Sequence, residues 1–218
     1  MFNTTVLLML KDAFIETVYM VATSTFFAVL FGLPLGILLV ITAPGHINEN
    51  KWLNSILGWI VNFGRSVPFI ILLVAIVPFT RWLVGTSIGT TAAIVPLSIA
   101  AIPFVARVTE QSLREVDKGV IEAALAMGAT TSQIIFKVLL PESLPSLVLG
   151  ITITAVNLIG YSAMAGAIGG GGLGDLAIRY GYQRFRGDVM LLTVIVLVIL
   201  VQVVQTVGNL IAKSLDHK

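Results

Sequence analysis

Charged residues divide this chain into long apolar stretches. Four runs without Asp, Glu, Lys, Arg or His, namely Thr17–Gly45, Trp82–Ala106, Ser143–Gly174 and Val189–Ala212, exceed the roughly 20 residues a helix needs to cross a bilayer. A fifth run is broken once, with Trp52–Gly64 and Ser66–Thr80 flanking Arg65. An arginine at mid-bilayer costs at least about 3 kcal/mol, so Arg65 marks an end rather than a centre. Before it, Trp52, Ile56, Ile60 and Phe63 recur at helical spacing with Asn54, Ser55 and Asn62 on other faces. That pattern predicts an amphipathic helix lying in the interface and turning inward near Arg65. Five crossings follow, in an all-α membrane protein.

Composition agrees. Hydrophobic residues make up 57% of the 218 and charged ones only 11%, less than half the charge of a soluble domain. The net charge of +2 gives no basic field for nucleic acid. With no cysteine, disulfides and thiolate chemistry are excluded. The first run is too long for a cleaved signal and lacks a basic leader, since Lys11 is followed by Asp12 and Glu16. Gly32, Pro34 and Gly36, Pro68 and Pro78, and Pro96 and Pro103 fall inside the apolar runs. They read either as the ordinary Gly and Pro content of membrane helices or as kinks that let helices shift. Five crossings put the termini on opposite sides. Eight basic residues then share the side of the loop between crossings three and four and five the other, which favours a cytoplasmic loop and C-terminus.

That loop is the one extended polar segment, about residues 108–143. Leu113, Val116, Val120, Ala124 and Met127 form an apolar stripe at helical spacing. Gly128 stands where a C-cap glycine belongs, and Thr130-Thr131-Ser132-Gln133 matches a capping box that starts a second helix at Thr130. Pro141 and Pro145 punctuate the exit into the fourth crossing.

Glu122-Ala123-Ala124, then Gly128, then Val138-Leu139-Leu140-Pro141 resemble the EAA loop of bacterial ABC-importer permeases, with Val138 in place of an isoleucine. Asn62, Arg65-Ser66-Val67-Pro68-Phe69, Pro78-Phe79-Thr80-Arg81 and Gly160-Tyr161-Ser162-Ala163-Met164, followed by the glycines to Gly174, are similar to the methionine branch of that family. The resemblance implies a single permease domain over 1–218, made of about five kinked transmembrane helices with a cytoplasmic coupling helix. Glu122, Ala123, Ala124, Gly128, Thr130, Gln133, Leu140 and Pro141 would carry the coupling. It implies a homodimer in the bacterial inner membrane, N-terminus outside, working with a cytoplasmic ATPase dimer and an external methionine-binding lipoprotein. No Walker A sequence is present. ATP and Mg would therefore be bound by the ATPase partner, and no cofactor by this chain. Import of another small amino acid is the nearest alternative.

The remaining features are weaker. Gly169-x-Gly171-x-x-Gly174 lacks the strand–turn–helix setting of a dinucleotide site; it reads as a pliable outer loop. Arg179, Arg184 and Arg186 follow it, either facing acidic groups of the binding protein or simply solvated. An intramembrane serine enzyme would need a basic partner for Ser162, and His46 and His217 both lie outside the apolar runs. No acidic pair suggests a metal or acid–base site. A secondary carrier or channel would place ionisable groups at mid-membrane, and the runs hold none. Tyr161, Ser162 and Met164 are the candidates for the substrate path, with close helix packing as the competing role for Met164.

Overall fold

The computed structural model describes residues 4–216. Among them ten α-helical segments occur and no strand: α1 (Thr4–Ile41), α2 (Lys51–Ser66), α3 (Phe69–Ala75), α4 (Val77–Val84), α5 (Thr90–Arg114), α6 (Lys118–Ala126), α7 (Thr131–Ile134), α8 (Leu140–Gly166), α9 (Gly172–Leu176) and α10 (Gly187–Leu215). Four continuous helices are long and apolar enough to cross a membrane, Thr4–Ile41, Thr90–Arg114, Thr131–Gly166 and Gly187–Leu215. The pair α2 and α3, bent by 97°, passes the same test together and gives a fifth if the two form one span. The break falls at Val67, extended before Pro68, as the restriction on pre-proline residues demands. The expected amphipathic helix, ending in a bend beside Arg65, is thus present.

Several boundaries differ from expectation. Trp82 belongs to α4, which stops at Gly85 in the left-handed region (φ 82°), and the third crossing begins only at Thr90. A charge-free run cannot reveal such a turn. Pro96 and Pro103 both lie inside α5, which runs on through them. Pro141 does not end a helix either. Instead α7 and α8 join through a wide π turn over Ile135–Leu139, closed by Leu140 N–H donating to the carbonyl of Ile135. Pro141 has no N–H to give and its ring crowds the carbonyl four residues back, and a π turn absorbs that mismatch. A second π turn, Ala177–Tyr182, links α9 towards α10.

The core is α1 laid along α5, with α8 and α10 closing the other side. The apposition of α1 and α5 rests on small residues every four positions: Ser24, Ala28, Gly32 and Gly36 are all buried. A Cβ on Gly32 would sit 2.7 Å from the carbonyl oxygen of Ile102, and one on Gly36 2.6 Å from that of Ala106. The glycines therefore serve close backbone approach rather than helix breaking. Gly36→Val is expected to destabilise the chain by about 2–3 kcal/mol, because a backbone carbonyl cannot swing aside. A fall in melting temperature of the detergent-purified protein, with Gly58→Ala as the control at an open position, checks it.

Candidate functional site

Two regions of the fold carry the polar chemistry. One is a helical hairpin at the end of the bundle that also holds the residue 42–50 loop and the C-terminus of α10; the Thr131 hydroxyl meets Asn48 Oδ1 at 3.3 Å. The opposite end holds residues 85–89 and 167–186, joined where Gly89 N–H donates to the Gly169 carbonyl at 2.9 Å.

In the hairpin, α6 starts at Asp117, whose carboxylate accepts from Gly119 N–H at 2.7 Å. It ends in a Schellman motif. Gly128 (φ 78°) donates to the Leu125 carbonyl at 2.9 Å and Ala129 to the Ala124 carbonyl at 3.0 Å. One residue later the capping box closes, with Thr130 N–H donating to Gln133 Oε1 at 2.9 Å and Gln133 N–H to Thr130 Oγ1 at 3.3 Å. Both caps stand where the sequence puts them. The stripe does not. Leu113 lies in α5 and Val116 in the link, both buried, whereas Val120 and Met127 are exposed and Ile121 takes the buried place beside Ala124. A break at Glu115–Asp117 shifts the phase of the helix, which periodicity counted across it misses. Glu122 and Ala123 are exposed, Ala124 is buried, Leu140 is half-buried and Pro141 exposed. Met127 at 83% and Phe136 at 65% exposure leave an apolar patch beside Glu122 and Ala123.

Beneath α6 a cavity of about 390 Å³ is lined by His46, Arg114, Lys118 and Glu122 among apolar neighbours. Burial first, and then the positive charge of Arg114 and Lys118, hold the His46 imidazole below its ordinary value. Its Nδ1 is buried without a hydrogen-bond partner among the described residues. The ring is therefore neutral at pH 7. Below about pH 6.5 the unpacked loop takes up a proton that the packed loop refuses, so acid weakens this packing while pH above 7 leaves it untouched. Thermal melts of the purified protein between pH 5.5 and 8 should show that loss, reduced in His46→Gln. In the same loop Glu49 accepts from Gly45 N–H at 2.8 Å; that bond, then Lys51, lowers its carboxyl below the usual range.

A further cavity, of about 240 Å³, lies among the bundle helices and is lined by Arg65, Phe69, Phe104, Asn157 and Tyr161. Tyr161 stacks on Phe69, ring centroids 4.6 Å apart and planes within 7°. Of the three path candidates only Tyr161 reaches this cavity. Ser162 is buried and its hydroxyl donates to the Ile159 carbonyl at 2.7 Å. Met164 is half-exposed on the outside of α8. Asn157 joins Tyr161 in that cavity; its one signal in the sequence is a carboxamide within an uncharged, membrane-length run.

The glycine-rich segment is packed rather than pliable. Gly172 N–H donates to Glu16 Oε2 at 2.6 Å and Leu173 N–H to Thr17 Oγ1 at 2.8 Å. Gly171 and Gly172, at φ 77° and 75°, make the turn against α1. Arg179 pairs with Asp175, Arg186 with Asp188, and Arg184 lies 4.4 Å over the Tyr180 ring.

A bundle of membrane-crossing helices with a polar internal cavity and a capped hairpin at one end has the build of a transporter's membrane subunit. Residues 28–218 match the family model for the binding-protein-dependent transport system inner membrane component. The chain belongs to that family and is a multi-pass inner-membrane protein. It is 54% identical over 203 residues to a probable D-methionine transport system permease protein of Vibrio cholerae, covering 93% of this chain and 90% of that one. It is 51% identical over 181 residues to the methionine import system permease protein of Bacillus subtilis, covering 83% and 82%. Its fold matches a chain of the MetNI methionine ABC transporter in an inward facing conformation with a TM-score of 0.97 and 49% identity, covering 99% of this chain and 100% of that one.

Proposed function

We propose that this chain, as one permease domain over 1–218, is the translocation subunit of an ATP-driven methionine importer. Two copies work with two separate ATPase subunits, and a binding lipoprotein delivers methionine on the outer face. The chain is not itself an enzyme; ATP and Mg belong to the ATPase. The observation that carries this reading is the likeness to a chain of the methionine ABC transporter over essentially the full length.

The geometry gives the reading a mechanism. The hairpin of α6 and α7 lies in the cytoplasm, with the N-terminus outside and the C-terminus inside, an orientation supported by eight basic residues on the hairpin's side against five on the other. Glu122, Ala123 and the apolar patch around Met127 face the ATPase. Gly128, Thr130 and Gln133 fix the angle between the helices, and Leu140 and Pro141 join them to α8 through the π turn. Closure of the ATPases moves the hairpin, and α5 and α8 follow as rigid bodies between two packings. Uptake of labelled methionine into vesicles holding this chain, the ATPase and the binding protein tests the reading. Accumulation should require internal ATP and the ATPase. Accumulation without ATP would turn the assignment into a secondary carrier, and stronger competition by another amino acid would change the substrate.

A further inference from the structure

Arg65 has no carboxylate partner among the described residues. Its guanidinium lies 6.0 Å from the centre of the Phe104 ring. Phe104 lies in α5 one turn before Arg107, where the apolar run gives way to charge. Arg65 is nonetheless exposed in the single chain. A cation at the edge of an apolar run is costly to turn towards lipid tails, and Arg65 instead lines the cavity that Asn157 and Tyr161 share. Asn157, across the cavity, is also exposed in the middle of α8, and its amide makes no hydrogen bond to any described residue. Between the two, the stacked Phe69 and Tyr161 rings form an apolar wall.

We propose that this cavity is a resting place for the transported amino acid inside the membrane domain, with Arg65 holding the α-carboxylate. A guanidinium binds a carboxylate through two parallel hydrogen bonds. The Asn157 carbonyl oxygen accepts from the α-ammonium, and the aromatic wall meets the thioether, a favourable sulfur–ring contact. The cavity, at about 240 Å³, is smaller than the roughly 300–1,000 Å³ of drug-sized pockets and suits a small zwitterion. Arg65 is then a substrate-binding residue, beyond its place at the bend between α2 and α3. The proposal rests on the reading of the chain as a methionine permease.

The test uses the complete permease–ATPase complex in vesicles with external binding protein. The quantity read is methionine moved per ATP hydrolysed. In Arg65→Gln it should fall at least tenfold, with Arg65→Lys between the two. An unchanged ratio, even with both rates reduced, overturns the proposal. A wild-type complex that moves no methionine sinks the transport reading itself, which keeps the two failures apart. Should the Arg65 variants not assemble, the chain's lack of cysteine offers a second arm. Ala100→Cys places one thiol of this chain on the cavity wall. Methionine should slow its modification by a small thiol reagent at least threefold, and 3-(methylthio)propylamine, the same molecule without the carboxylate, should not. No protection, or equal protection by both compounds, overturns the role of Arg65.

Discussion

Replacing Glu110 by alanine is expected to destabilise the folded chain by about 3–5 kcal/mol, the cost of leaving a covered charge without its partner. Glu110 is 5% exposed. Its carboxylate accepts from Arg107 at 2.5 Å and from Arg114 at 2.8 Å, and Arg107 also donates to Asn62 Oδ1 of α2 at 2.6 Å. The main loss comes from Arg107, whose side chain is 22% exposed; the Arg114 pair is half-exposed and contributes little through solvent screening. One carboxylate thus ties α2 to α5 and steadies the start of the hairpin. Glu110→Gln keeps an acceptor and should recover a good part of the loss. Thermal unfolding of the detergent-purified protein distinguishes the two, and equal melting of Glu110→Ala and wild type would deny the latch.

This latch shows where the sequence is hard to read. Arg107, Glu110 and Arg114 sit at helical spacing, but nothing local announces that Glu110 is buried or that Arg107 reaches a helix 45 residues away in the chain. Long-range pairing decides it. By contrast, the caps at Gly128 and Thr130 were legible because backbone hydrogen bonding at helix ends is a local matter. The bend after Arg65 was legible too, through the price of a charge in lipid and the amphipathic stretch before it. Gly32 and Gly36 stood out as possible kinks, but their place in a four-residue repeat with Ser24 and Ala28 gains meaning only from the neighbour α5, which shows what the small residues make room for. Tyr161 was found within its motif, but its partners Phe69 and Asn157 come from different helices, and a linear pattern does not assemble a cavity.

Gly128→Val is expected to cut methionine uptake at least tenfold while leaving insertion in the membrane intact. A Cβ at Gly128 would meet nothing within 4 Å, so no clash enters, and the effect comes from the φ of 78° alone. A residue with a Cβ in that region costs roughly 1–2 kcal/mol and a β-branched one more. Tenfold in a population corresponds to about 1.4 kcal/mol. That strain acts on α6, nine residues long and too short to hold its shape without its caps and packing. Only Ala129 separates the glycine from the Thr130 cap, so a relaxed φ would redirect α6 relative to α7 and move Glu122 and Ala123, the proposed contacts with the ATPase. Gly128→Asn is the informative control, since asparagine enters the left-handed region more readily than other residues; it should retain most uptake. Co-purification with the ATPase and ATP-driven uptake in vesicles give the readout. Normal transport by the valine variant would remove the hairpin turn from the coupling path.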